Sequence, residues 1–429
     1  MDKYSFFYKI PDNWCWTKLG KITSIIGGGT PSSKINEYYD NGDIAWITPS
    51  DLSNYNNMYI SKGKKMITKL GLMKSSAKLL PKGTVCLSSR APIGYVVIAK
   101  NELSTNQGFK SFLPSKVFKS EYLYWYLKSI KHILEAKASG TTFLELSAKK
   151  AGEVEIPLPP ISEQQRIVNR IESLFTKLDR AKELIENTLA QFEQNKMAIL
   201  HKAFTGELTV KWRKENNIDL SSWKKCELKE VFKVVKDKYN PQTENQIVNY
   251  IGLENIETSK GIISKSNSSE VKSIKTKFKK DDVLYGKLRP YLNKHDVVNF
   301  DGICSTDILV FRFNDINTAK YINYYFNLPM FIQYAVENSS GINLPRVSEK
   351  TISKYKISLP TIEEQQEIVN ILDNLLAKYN KIKNLEQQLE KIELLKKAIL
   401  AKAFRGELGT NNPDEESAEN LLKEILAEK

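Results

Sequence analysis

Two stretches of the chain carry apolar residues in alternating steps of three and four. The first runs Ile167, Ile171, Leu174, Leu178, Ala181, Ile185, Thr188, Phe192, Asn195, Ile199. The second runs Ile368, Leu372, Leu375, Tyr379, Ile382, Leu385, Leu389, Ile392, Leu395, Ile399. Mean spacings of ~3.56 and ~3.44 are close to the heptad period and predict coiled-coil helices. Each would run for roughly 43 residues, or ~65 Å at 1.5 Å per residue. Both open with a capping-box pattern, Ser162 with Gln165 and Thr361 with Glu364, just after Pro159, Pro160 and Pro360. Both close on a glycine, Gly206 and Gly406, suited to a left-handed position. A helix with one apolar stripe cannot bury it alone, so the expectation is an intramolecular antiparallel pair.

Between these stretches the pattern changes to short β-like runs punctuated by Gly, Pro, Asn and Ser. Segment 1–155 shows Ile44–Ile47, Thr84–Leu87 and Tyr95–Ile98, followed by a helical stretch near 120–136. Segment 210–355 shows Val283–Tyr285 and Ile308–Phe311, then a helical stretch near 318–335. The fold class expected is mixed α/β (α+β), with two pseudo-symmetric globular domains separated by two long antiparallel coiled-coil helices. The boundaries expected are 1–155 and 210–355 for the globular domains, 156–209 and 356–409 for the helical spacers, and 410–429 for an acidic tail. In that tail Leu421, Leu422, Ile425 and Leu426 lie at helical spacing, leaving open a frayed end or a short docked helix.

The alternation is a duplication. IPLPPISEQQRIV at 156–168 returns as ISLPTIEEQQEIV at 357–369, and AILHKAFTGEL at 198–208 as AILAKAFRGEL at 398–408. Fainter matches lie upstream: Trp14 and Leu19 with Trp223 and Leu228, Arg90-Ala91-Pro92 with Arg289-Pro290, Ser104-Thr105 with Ser305-Thr306, Tyr122 with Tyr321, and Ser139-Gly140 with Ser340-Gly341. A period of about 200 residues is a duplicated domain rather than a short solenoid repeat.

Charge sharpens this picture. The chain of 429 residues has a formal net charge of +14. Residues 162–205 carry +1, 361–408 carry 0 and the tail −4, so the globular segments hold +17 between them. That is the electrostatic footprint of a polyanionic partner on two modules. The four cysteines and three histidines are scattered without metal-ligand spacing, which points to buried thiols, no structural metal and a cytoplasmic setting. The first residues lack the apolar core of a secretory signal, and no apolar run approaches the ~20 residues of a membrane span. Catalytic signatures are absent from the sequence: no Asn/Asp-Pro-Pro-aromatic motif for amino methylation, no Walker A, no dinucleotide fingerprint. Gly27-Gly28-Gly29 lacks the following G-K-[ST] and reads as a tight turn. Glu227-Leu-Lys229 has the E-x-K shape of some nucleases, a triplet that chance supplies readily in a Lys- and Glu-rich chain.

The duplicated P-x-I-x-E-Q-x-x-I-V start and A-F-x-G-E-L end resemble the conserved regions of type I restriction–modification specificity (S) subunits. GGGTPSSK (27–34), LSSRAPIGY (87–95) and SGTTFLELS (139–147) are similar to elements of that family's target recognition domains. In the second segment Lys236-Asp-Lys-Tyr-Asn-Pro241 stands in place of GGGTP. The resemblance implies a non-catalytic subunit that binds double-stranded DNA at a bipartite asymmetric site, one half per recognition domain, with the helices setting the spacer. It implies two methyltransferase (M) subunits docked through the helical regions and restriction (R) subunits joining that complex. It also implies no cofactor on this chain, S-adenosylmethionine, ATP and Mg²⁺ belonging to the partners. The alternatives are the recognition subunit of a type IIB/IIG-like system, or a coiled-coil scaffold that binds no nucleic acid.

Lys and Arg to phosphate supply affinity, while a few side chains at base edges supply sequence reading. The candidate DNA contacts in the first segment are Thr30, Ser32, Lys34, Ser50, Ser89, Arg90, Asn106, Gln107, Thr141 and Thr142. In the second they are Lys236, Lys238, Asn240, Asn255, Lys287, Arg289, Asp307, Asn338, Ser339 and Asn343.

Overall fold

The computed structural model describes residues 8–427 except 91, 141–143, 245, 259 and 381–382, and omits the side chains of 270, 376, 378–380, 383–384 and 425. The chain divides into two compact units, Met1–Leu184 with Gln387–Lys429, and Ile185–Glu386. Each unit is therefore discontinuous in sequence and takes part of both helical stretches.

The first stretch forms one helix, Ile161–Phe204. The second is described as Ile362–Asn380 and Lys383–Ala403. Ser162 is not the first cap: the helix already starts at Ile161, where the Gln164 amide donates to the Pro160 carbonyl at 2.9 Å. Thr361 does cap the second, its Oγ1 accepting from the Glu364 amide at 3.4 Å. Gly206 and Gly406 sit at φ +80° and +76°. There the Leu208 and Glu407 amides reach back to the Lys202 and Lys402 carbonyls, each at 2.9 Å, closing the last turns.

Within the first unit the helices run antiparallel. Lys182 pairs with Glu393 at 3.4 Å, and Asp179 pairs with Lys396. Among the described residues, the apolar seam of the second helix departs from the expected one at a single place. Leu395 is 49% exposed, whereas Lys396 lies inside with its ammonium 5.4 Å from the centre of the Phe175 ring. An unbroken heptad from Leu385, Leu389 and Ile392 reaches 396, not 395. The lysine stem supplies the packing there, and ring and carboxylate meet its charge. Tyr379 and Ile382, also expected in the seam, fall outside the described side chains.

The globular part of the first unit holds a five-stranded sheet, in order Ile25–Gly27, Phe109–Phe112, Val85–Ser88, Val96–Ala99, Tyr59–Ile60, and a three-stranded sheet of Lys65–Ile67, Ile44–Ile47 and Ser104–Thr105. Helix Ser120–Ser129 packs on the larger sheet, its Tyr122, Leu123 and Leu127 fully buried. The second unit repeats this plan. A four-stranded sheet runs Phe232–Val234, Ile308–Phe313, Val283–Gly286, His295–Val297, and a five-stranded sheet is built around Gly302–Cys304 and Asn249–Ile251. Helix Ile316–Tyr325 packs on the four-stranded sheet, against Ile308–Phe313 and His295–Val297, and helix Pro329–Glu337 packs on the turn at Pro290–Leu292. In both units the entry and exit strands pair antiparallel at the foot of the helices, Cys15–Lys18 with Glu155–Leu158 and Lys224–Glu227 with Lys356–Leu359.

The recurring Glu-Gln pair at each helix start has a structural role. Glu163 accepts from the Trp14 indole at 2.8 Å and Glu364 from the Trp223 indole at 2.9 Å. Gln164 and Gln365 donate to the Pro159 and Pro360 carbonyls at 3.0 and 2.8 Å. The repeated motif thus clamps each globular part to its helix. In the second unit the clamp is completed by Thr209 and Arg213, from the stretch following the first helix. In the first unit it is completed by the C-terminal stretch. Thr410 and Asn411 donate to Glu163, Arg166 grips Glu415 through two bonds of 2.7 Å, and helix Ala418–Ala427 buries Ala418 and Leu422. The tail is a docked helix, not a frayed end.

Three cysteines, Cys86, Cys226 and Cys304, are buried and Cys15 only partly so; burial pushes the Cys86 and Cys304 thiols up to about 12. Among the described residues no helix is long and apolar enough to cross a membrane, and no group of three His, Cys, Asp or Glu is placed to hold a metal ion.

Candidate nucleic-acid interface

A rim of loops in the first unit is tied together by backbone hydrogen bonds. The Gly29 amide donates to the Thr105 carbonyl at 2.9 Å, Asn106 to Ile47 at 3.0 Å, Ser89 to Gly108 at 2.7 Å and Leu146 to Ser89 at 2.9 Å. Arg90 and Ser139 both bridge to Glu145 through their backbones. These links bring the segments at 28–30, 47–50, 88–90, 105–108, 139–140 and 144–146 to one place. The second unit has the same frame. The Ser305 amide donates to Ile251 at 2.9 Å, Lys287 to Asp307 at 2.9 Å and Val347 to Lys287 at 3.0 Å. Leu288 and Ser340 both bridge to Arg346.

The shared frame corrects two of the faint sequence matches. Ile47 pairs with Thr105 as Ile251 pairs with Cys304, so Ser104-Thr105 corresponds to Ile303-Cys304 and not to Ser305-Thr306. Arg90 corresponds to Leu288 rather than to Arg289. The matches of Trp14 with Trp223 and of Ser139 with Ser340 stand. Polar side chains recur in loops for local reasons, so identity two residues out of register for Ser305-Thr306, and one residue out for Arg289, misled the alignment.

Most of the candidate residues of the first segment stand on this rim. Thr30 donates to Gln107, and Ser50 shares a hydrogen bond with Thr48 at 2.8 Å. Asn106 turns its carbonyl oxygen to the Gly108 amide at 2.9 Å. Arg90 pairs with Glu145 at 3.0 Å while remaining 45% exposed. Ser32 and Lys34 are exposed on the loop beyond Gly29. Ser89, in contrast, is wholly buried; its hydroxyl donates to Gly108 at 3.1 Å and accepts from Lys110 at 3.3 Å. Its polar atoms are spent on the frame, so it positions the rim. Thr141 and Thr142 lie outside the described residues.

In the second unit Lys287, Arg289, Asp307, Asn338, Ser339 and Asn343 lie on the segments that the frame joins. Arg289 is exposed at φ +52°. Asn338 and Ser339 close the end of helix Pro329–Glu337, donating to Tyr334 and Val336 at 2.9 and 2.7 Å. Lys236 reaches the same region through Glu349 at 2.7 Å. Lys238 belongs to the neighbouring five-stranded sheet, where it meets Thr276 at 3.3 Å, and Asn240 opens the turn after its strand, its side-chain oxygen accepting from the Gln242 amide at 3.0 Å. Asn255 is buried and bonded to Gly252 at 2.8 Å and Ser264 at 3.0 Å; like Ser89 it serves the fold.

Sequence reasoning missed Lys110, Glu145 and Arg346. Lys110 is nearly buried yet reaches Glu145 at 3.1 Å. Partial burial pushes the Glu145 carboxyl up, but bonds and charge from Lys110 and Arg90 outweigh it and hold the group below the ordinary carboxylate range. The signal available was position: Glu145 and Arg346 stand six residues beyond the matched Ser139 and Ser340.

A family model described as the type I restriction modification DNA specificity domain matches residues 11–191 and again 221–394. The chain belongs to this family. The MjaIX specificity subunit of Methanocaldococcus jannaschii is 31% identical over 416 residues, covering 93% of this chain and 94% of that one. The EcoDI specificity subunit of Escherichia coli is 30% identical over 346 residues, covering 73% and 77%. Among solved structures, the HsdS subunit from Thermoanaerobacter tengcongensis shares the fold with a TM-score of 0.60 at 20% identity, covering 93% of this chain and 98% of that one. A chain from a structure of type I R-M complex assembly and conformational transition gives 0.69 at 20% identity, covering 94% and 100%.

The glycine run of the first specificity domain now has a physical reason. A Cβ on Gly28 would overlap the Asn106 carbonyl and the Thr105 hydroxyl, because the loop lies directly against strand Ser104–Thr105. Replacing Gly28 with alanine is expected to destabilise the first domain by about 1–3 kcal/mol and to displace Thr30 from Gln107. Amide exchange at Gly29 and Asn106 checks this: protection there should fall, with the second domain unchanged.

Proposed function

We infer that this protein is the DNA-reading specificity subunit of a type I restriction–modification system, non-catalytic itself, with each specificity domain reading one half of a bipartite asymmetric site. The observation that carries this reading is the rim that occurs twice, on one hydrogen-bond frame with different side chains. A repeated scaffold with unlike contact residues is what two unlike half-sites require. The excess positive charge of the globular segments supplies phosphate affinity. Within the rims, Thr30, Ser32, Lys34, Ser50, Arg90, Asn106 and Gln107 contact DNA in the first domain. Lys236, Lys287, Arg289 and Asn343 do so in the second.

The paired helices set the spacer between half-sites and present surfaces for two methyltransferase subunits, with restriction subunits joining that assembly. S-adenosylmethionine, ATP and Mg²⁺ serve those partners, and this chain supplies address rather than chemistry. The named relatives favour this reading over a type IIB/IIG-like partner and over a scaffold without nucleic acid. Sequencing the methylated bases in a host carrying the chain with its methyltransferase partner is expected to give a split, non-palindromic motif. A continuous palindrome would count against two unlike reading domains. Binding to the matching duplex should also fall steeply and linearly on a log–log plot against salt, and a flat line would remove the DNA reading altogether.

A further inference from the structure

One position in the shared frame carries opposite charge in the two domains. Glu145 and Arg346 occupy the same place: each bridges a serine, Ser139 or Ser340, and each bridges the strand-end residue opposite, Arg90 or Leu288. The residue that follows each donates its amide to the same partner loop, Leu146 to Ser89 and Val347 to Lys287. In the first domain the guanidinium stands on the 87–95 loop and the carboxylate at this position, as Arg90 with Glu145 at 3.0 Å. In the second domain the guanidinium stands at this position. Its carboxylate comes from Asp307, where the first domain has Gly108, at 3.2 Å from Arg346 Nε. The charges have exchanged loops, yet each domain keeps on its rim an arginine 45% exposed and held by a carboxylate 35% or 29% exposed.

A partly exposed arginine fixed by a neighbouring carboxylate is pre-organised for one task. It is held in one conformation before DNA arrives, so less side-chain freedom is lost on binding. Arg346 is tied through Nε to Asp307 and, at 3.5 Å, through Nη1 to the Leu344 carbonyl, which leaves one N–H on Nη1 and both on Nη2 as a donor fork, and a planar fork of two N–H groups matches the O6 and N7 acceptors of guanine in the major groove. A carboxylate beside the fork also repels phosphate, which favours a base edge over the backbone as the target. Asp307, expected to touch DNA directly, is then a positioning residue.

We propose that Arg346, held by Asp307, reads a guanine in the half-site of the second specificity domain, as the counterpart of Arg90 held by Glu145 in the first. This rests on the reading of the chain as a bipartite DNA specificity subunit.

The test is selection from randomised duplexes by the full chain assembled with its methyltransferase partner, comparing wild type with Arg346→Gln, Arg346→Lys, Asp307→Asn and Arg90→Gln. Arg346→Gln and Arg346→Lys should both lose preference at one guanine of one half-site, by roughly 5- to 150-fold, the other half unchanged. Lysine keeps the charge but lacks the planar fork, so its failure to rescue separates base reading from phosphate contact. Asp307→Asn should weaken the same position less, and Arg90→Gln should act on the other half-site. Uniform weakening over all sequences, full rescue by lysine, or an unchanged motif in Arg346→Gln would overturn the proposal, as would a wild-type half-site without guanine. If wild type selects no bipartite motif at all, the reading beneath it has failed instead.

Discussion

Replacing Glu364 with alanine is expected to destabilise the second unit by about 3–5 kcal/mol, the largest effect of any single substitution considered. Glu364 is fully buried and accepts from three donors: the Trp223 indole at 2.9 Å, the Thr209 hydroxyl at 2.6 Å and the Arg213 guanidinium at 2.5 Å. Arg213 is itself 8% exposed and also donates to the Gly206 carbonyl at 2.5 Å. Removing the carboxylate strands a buried cation beside two unsatisfied donors, and the uncompensated charge dominates the cost. The equivalent change in the first unit should be milder, about 1–3 kcal/mol, because the groups that donate to Glu163 (Trp14, Thr410 and Asn411) are all neutral. Hydrogen exchange on the full chain reads the two units separately. Protection should fall across the second unit in Glu364→Ala and less across the first in Glu163→Ala. Adding Arg213→Met to Glu364→Gln should recover part of the loss. Equal losses in the two units would show that charge is not the cause.

This asymmetry was only half visible in the sequence. Heptad spacing, proline and glycine punctuation and the doubled motifs were enough to place the helical stretches and the strands expected at 44–47, 283–285 and 308–311, which lie within the observed Ile44–Ile47, Val283–Gly286 and Ile308–Phe313, because periodicity is a local property of the chain. The Glu-Gln pair was legible as a helix start but not as a clamp: its partners are a tryptophan about 140–150 residues away and the ends of other segments, and no local pattern encodes such closure. The same limit explains Leu395, where choosing the apolar residue over the heptad position put a lysine outside the seam. The rim was legible as a set of loops and illegible as a register. Gly27-Gly28-Gly29 signalled a tight approach without naming Thr105 and Asn106 as what it approaches. Ser89 and Asn255 read as exposed recognition residues because side-chain chemistry does not reveal burial. Glu145 and Arg346 escaped notice because opposite charges at matched positions score as mismatch, although in the fold they complete the same kind of ion pair.

Deleting residues 409–429 should cost the first unit about 3–5 kcal/mol, although those residues lie beyond every globular segment expected from the sequence. Three losses combine. Leu422, 8% exposed, and Ala418 leave a core they share with Trp14, Ile167, Ile171 and Phe404, the leucine contributing about 1.5–3 kcal/mol. Buried Glu163 loses Thr410 and Asn411, each a hydrogen bond to a charged group. Arg166 loses both the Glu415 carboxylate and the Thr410 carbonyl. The ion pair adds a pH dependence with a definite sign. The Arg166 guanidinium holds the Glu415 carboxyl below its ordinary range, so the unfolded chain takes up that proton more readily than the folded one. The stabilisation is present above the ordinary carboxylate pKa of about 4.3 and is lost as pH falls through the lower folded value. Urea unfolding of the full and shortened chains should therefore show a wide gap at pH 7 that narrows in acid. A control, Arg166→Ala in the full chain, should remove the narrowing while keeping most of the gap, since the apolar contacts remain. If the shortened chain protects the Trp14 indole from exchange as well as the full chain does, the tail is not part of the first unit's clamp, and the parallel with Thr209 and Arg213 in the second unit fails.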